Sequence, residues 1–141
     1  MKMFEESCLD FNLIDIYNLL DKPHENTLSN ISPESLEVYA AFSPVEPKIL
    51  ILAIRGLQQI LFRNYIRHNI TKRVEISAFP LCLSVHDKKI AIGLNDRRFV
   101  ILEDEKISEY KGHSEGVIGI SITPRGIISA SKCEIGIWSI E

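Results

Sequence analysis

Gly112-His113-Ser114-Glu115-Gly116 has the G-x-S-x-G spacing that, in hydrolases, sets a serine nucleophile on a strand-to-helix elbow with its acid and histidine partners downstream. Here Val117 to Ile122 reads as a strand, and no histidine follows Ser114. A serine without a base stays a poor nucleophile. His24, His68 and His86 have no metal-ligand spacing with any cysteine or acid and read as solvated or capping residues. Cys8, Cys82 and Cys133 are scattered, odd in number and without a CxxC pair, which suits reduced thiols better than a disulfide framework or a zinc site. The seven glycines are dispersed, so no phosphate-cradling loop is expected. No catalytic, cofactor-binding or metal-binding residue emerges, and the chain reads as a non-enzyme with no cofactor.

The elements that hold these residues must fit into 141 residues and 16.0 kDa, room for one domain with one hydrophobic core. A composition of 45% hydrophobic and 25% charged residues is that of a globular chain rather than a disordered one. The net charge is −3, the pI is near 5.8 and neither sign forms a long block, which disfavours a phosphate-tracking nucleic-acid partner. Met1-Lys2-Met3-Phe4-Glu5-Glu6 turns acidic where a signal peptide turns apolar. The longest apolar run, Ile49 to Ile54, is far below the roughly 18 residues of a membrane-spanning helix. A cytoplasmic or nuclear location is the expectation.

Internal repetition is strongest near the C-terminus. Gly112-His113 is followed by Val117 to Ile122, a Pro124-Arg125-Gly126 turn, Ile127-Ile128-Ser129-Ala130-Ser131, and Ile135-Gly136-Ile137-Trp138. Period-two alternation in Ile118, Ile120 and Ile122, and again in Ile135 and Ile137, predicts three short strands joined by tight turns. This order of elements resembles the blade signature of the WD40 repeat family. A weaker copy precedes it: Leu81 to Val85, an Asp87-Lys88-Lys89 turn, Ile90 to Leu94, Asn95 to Arg98, then Phe99 to Leu102. Earlier, Val38 to Pro44 resembles the family's A-F-S-P first strand and leads into Ile49 to Ile54 and Gln59 to Phe62. Leu13 to Leu19, after Asp10, looks like a further third strand with tyrosine for tryptophan. The aromatic or aliphatic position recurs at Tyr17, Phe62, Leu102 and Trp138, a period of about 40 residues.

The resemblance implies an all-β fold, a partial WD40-like β-propeller of about three four-stranded antiparallel blades. Residues 1–35 would be an N-terminal strand and linker, and 36–79, 80–112 and 113–141 the blades. A competing reading makes Ser32-Pro33-Glu34 a helix start, with Leu36, Tyr39 and Ala40 on one face. In the family the G-H histidine, a serine or threonine of the second strand, the turn aspartate and the third-strand tryptophan form a buried hydrogen-bonded chain that ties the strands of a blade together. Carried over by position, His113, Ser131 and Trp138 would take these structural roles in the last blade, and Asp96 that of the aspartate in the blade before. Lys132-Cys133-Glu134 stands where the family has a turn ending in aspartate, one residue short, so that chain is expected to be incomplete.

Rings have roughly 4–8 blades, and the last blade here lacks a recognisable fourth strand. Residues 13 to 19 are one candidate to fill it. Otherwise the chain would be an open arc capped by a partner, half of a ring made by two copies, or a shortened gene product. The expected function is a protein–protein interaction scaffold or a subunit of a larger complex, with Lys88, Arg97 and Arg98 as possible contacts on turns. The alternative is an adaptor whose basic turns meet a phosphoinositide membrane or RNA. Phosphoinositide-binding propellers carry F-R-R-G at the lipid site, and Asp96-Arg97-Arg98-Phe99 lacks that glycine and that order.

Overall fold

The computed structural model describes residues 37–139. Eleven strands fill that range, and no helix occurs among the described residues. β1 (Val38–Phe42), β2 (Ile49–Ile54), β3 (Gln59–Asn64) and β4 (Asn69–Glu75) form one antiparallel sheet in sequence order. A second repeats the plan with β5 (Pro80–His86), β6 (Lys89–Leu94), β7 (Arg98–Glu103) and β8 (Lys106–Lys111). The third contains β9 (Gly119–Thr123), β10 (Gly126–Ala130) and β11 (Ile135–Trp138), in the order β11-β10-β9. Val38 to Phe42 is therefore strand, not the helical face that Ser32-Pro33-Glu34 would open. The expected strand at residues 13 to 19 lies outside the described residues.

Turn chemistry explains the meander. Asp87-Lys88 joins the paired residues His86 and Lys89, and Asp104-Glu105 joins Glu103 and Lys106. Both aspartates adopt positive φ, 51° and 56°, as two-residue hairpin turns require. Pro124-Arg125 joins Thr123 to Gly126, whose φ of 141° no side chain accepts easily.

Period-two alternation assigns the second sheet to two cores. Ile90, Ile92, Leu94, Val100 and Leu102 pack against Ile51, Ala53 and Ile60 of the first sheet. The intervening Ala91, Phe99 and Ile101 pack against Val117, Ile122 and Ile127 of the third. A strand buried on both faces must be apolar at every position, which is why β6 and β7 show no polar alternation. Gly93 marks the closest approach: a Cβ there would stand 2.3 Å from Cys82 Sγ and 2.6 Å from the Val117 carbonyl. Leu52, Ile54, Leu57 and Leu61 form a separate buried cluster with Val38 and Leu50. The expected alternation at Ile118 breaks. Val117 is fully buried and Ile118 is exposed, because the chain before β9 leaves regular pairing while Val117 N–H bonds the Leu94 carbonyl.

Candidate functional site

The G-H segment sits in the loop from β8 to β9. The His113 side chain is buried, and its Nε2 lies 2.7 Å from Ser129 Oγ. Trp138 Nε1 donates to the same oxygen at 2.8 Å. This hydroxyl accepts from the indole and bonds Nε2 either as donor or as second acceptor, according to the imidazole tautomer. Glu134 Oε1 is 3.7 Å from Nδ1, an electrostatic contact too long for a hydrogen bond. That carboxylate oxygen accepts from Ser114 N–H at 2.7 Å, from Ser114 Oγ at 2.8 Å and from Ser131 Oγ at 3.4 Å. The Ser114 backbone N–H and then its hydroxyl hold the Glu134 carboxyl below the usual carboxylate range.

This geometry corrects one expectation. The serine between His113 and Trp138 is Ser129, not Ser131. Ser129 lies inside β10 and turns inward with Ile127, whereas Ser131 falls one residue past the strand and faces Glu134. The chain runs from tryptophan through Ser129 to histidine and, as expected, is incomplete at the acid, where His113 Nδ1 has no hydrogen-bond partner. Glu134 stops 3.7 Å from Nδ1, and its carboxylate bonds Ser114 and Ser131 instead. Ser129, His113 and Glu134 thus have the composition of a hydrolytic triad, but Ser129 is fully buried with its oxygen taken by two partners, so a substrate has no path to it. Ser114 is exposed, yet its hydroxyl donates to the Glu134 carboxylate rather than to a histidine.

Asp96 has no histidine beside it. Its carboxylate pairs with Arg98, whose guanidinium also reaches Glu109 Oε1 at 2.9 Å and Ser77 Oγ at 2.7 Å. Arg98 is thereby fastened into the second sheet and is not the surface contact the sequence suggested, while Lys88 and Arg97 are exposed. Lys88 lines a shallow cleft of about 560 Å³ with Val45, His86, Lys89, Thr123 and Pro124, where the first hairpins of the three sheets converge. Within it His86 Nε2 lies 3.3 Å from Asp87, and Asp87 and Glu103 set two carboxylates among the basic residues of the lining.

Among the described residues, the outward side of the third sheet is an uncovered apolar face. Ile128 pairs with Ile137 and Ala130 with Ile135, on the side opposite Ile127 and Trp138. Ile128 is 50% exposed, Ile135 77% and Ile137 84%. Trp138 faces the other way, with its ring centroid 5.1 Å from Phe99 and 6.0 Å from Tyr110, both edge-to-face. Three look-alike antiparallel sheets, packed face to face, match known structures. A chain of the mitotic checkpoint complex superposes with a TM-score of 0.62 at 19% identity, over 72% of this chain and 35% of that one. The RRP9 WD40 repeats superpose with a TM-score of 0.65 at 16% identity, over 75% and 36%, and U3-55K agrees at 0.65 and 16% over 75% and 37%. The fold is that of the WD40 β-propellers. By sequence the chain is 26% identical over 114 residues to WD repeat-containing protein 90 of Xenopus tropicalis, covering 76% of this chain. It spans 6% of that relative's length and about a third of each superposed WD40 chain. No protein-family profile matches it. Each sheet is a WD40 blade, and the third has three strands among the described residues.

Proposed function

We propose that the chain is a non-catalytic protein–protein interaction scaffold, a subunit of a larger assembly, acting in the cytoplasm or nucleus. Its repeats would be residues 36–79, 80–112 and 113–141. One observation carries this reading: the outward face of the third blade presents Ile128, Ile135 and Ile137 bare, while equivalent faces between blades are packed dry. Contiguous exposed apolar surface marks an interaction site. WD40 chains also occur within multi-protein complexes, as the mitotic checkpoint complex illustrates. The reading does not rest on the basic turns, since Arg98 is engaged inside its own blade.

The test compares the full chain with Ile128→Asp. Ile128 is half exposed, so the variant is expected to melt with the parent. Proteins cross-linked to the parent at the third blade, identified by mass spectrometry, should be lost from Ile128→Asp. If the same set is retained, the face is not the contact.

A further inference from the structure

The proposed scaffold has a second incomplete feature, the edge of β11. Ser131 N–H bonds the Glu134 carbonyl, and antiparallel alternation makes Ser129–Gly136 and Ile127–Trp138 the hydrogen-bonded pairs. The N–H and C=O of Ile135 and Ile137 therefore point away from β10, and among the described residues no strand pairs with them. The same edge in the other two blades is covered. β4 lies on β3 and β8 on β7, and both covering strands are polar, with the shared run Ile-Thr/Ser-charged at Ile70-Thr71-Lys72 and Ile107-Ser108-Glu109. Each uses its charged residue on the strand beneath. Lys72 Nζ sits 5.4 Å from the Phe62 ring centre, and Glu109 bonds Arg98.

Resting on the scaffold reading, we propose that the β11 edge binds an extended segment of a partner protein as a fourth antiparallel strand, with the pattern Ile/Val–Ser/Thr–Lys/Arg. The sign of the charge follows from the site. Glu134 stands four residues before Trp138 as Arg98 stands four before Leu102, so a cationic residue meets Glu134 where Glu109 meets Arg98. The aliphatic residue, two positions before the charge, falls on the same side, beside Trp138 as Ile107 lies beside Leu102, and the main chain supplies the affinity.

The probe is a synthetic peptide copying Lys106 to Lys111 with Glu109→Lys, added to the full chain at about 1 mM, within the range of weak strand addition. Amide exchange followed by NMR is expected to slow at Ile135 and Ile137, with the unchanged Lys106 to Lys111 sequence binding several-fold more weakly. Ile137→Pro removes one outward N–H without touching the bonds to β10, and should weaken binding about tenfold while the parent melting temperature is kept. Lack of protection at Ile135 and Ile137 at that concentration would overturn the proposal. Protection that needs no peptide would also overturn it: if it rises with protein concentration a second copy is the occupant, and if it does not a segment of the same chain is. If Ile128→Asp loses its partners in the cross-linking experiment while the peptide leaves β11 unprotected, the scaffold reading stands and the strand addition fails.

Discussion

Trp138 is the residue on which the packing of the second and third blades turns, and removing it has a calculable cost. Trp138→Ala deletes two edge-to-face contacts, with Phe99 and Tyr110, worth about 0.5–1.5 kcal/mol each. It also deletes the hydrogen bond to Ser129, worth about 1 kcal/mol. The ring is only half-buried, so the area term is about 1–2 kcal/mol rather than that of a fully enclosed indole. The sum is about 4 kcal/mol, which in a domain of this size lowers the melting temperature by more than about 10 °C. Calorimetry or thermal circular dichroism reads this directly. Trp138→Phe keeps most ring contact and loses only the donor, so it should cost about 1 kcal/mol from the bond plus a small packing loss. A double-mutant cycle with Ser129→Ala should return a coupling of about 1 kcal/mol between the two positions. If Trp138→Ala melts within about 2 °C of the parent, the indole is not packed between blades, and the register of β11 on β10 is wrong.

Three further outcomes follow from named contacts. Burial pushes the Cys82 thiol from 9.0 up to about 11, and its Sγ–H donates to the Val117 carbonyl at 3.3 Å, so alkylation at pH 8 should modify exposed Cys133 and spare Cys82 until the chain unfolds, as peptide mapping would show. Because the folded state holds that proton more tightly, the Cys82 contribution to stability is complete below its ordinary value of 9.0 and is lost as pH rises to about 11. Glu134 has the opposite sign: its lowered pKa gives stability that is present above the ordinary carboxylate value and disappears as pH falls through the folded value, so Glu134→Gln should flatten the acid limb of the unfolding curve. Gly93→Ala places a Cβ against Cys82 Sγ and the Val117 carbonyl, and overpacking there should cost about 1–3 kcal/mol in denaturant titration, with no gain if Cys82→Ala is not also made.

Some of the site is legible in sequence and some is not, for reasons that differ by residue. The G-H pair and the I-x-I-W strand locate His113 and Trp138, because a loop histidine and a strand tryptophan at that spacing have few other uses. Ser129 and Ser131 are both serines two apart, on the same side of an ideal strand, so only where β10 stops separates the bonded one from its neighbour. Period two also makes Ile135 and Ile137 share a side opposite Trp138. Nothing in the pattern says whether that side is covered. Arg98 reads as a surface turn residue because its neighbours Asp96 and Glu109 reveal a pocket of acids only once β7 and β8 are paired. β4 and β8 carry mixed charge and no clean alternation, as outermost strands do, and leave little trace in hydropathy.

Local chemistry in the chain itself determined where strands run and where they turn: unbroken apolar runs at Ile49 to Ile54 and Ile90 to Leu94, and Asp, Pro and Gly at tight reversals. Those features act within a few residues, so a single sequence displays them. The tertiary structure decided which serine bonds His113, which arginine is fastened inside, and which apolar side is left bare. Such outcomes depend on residues some twenty or more positions apart meeting across a sheet or between sheets, as Ser114 and Glu134 or Arg98 and Ser77 do, and no spacing rule along the chain encodes those distances.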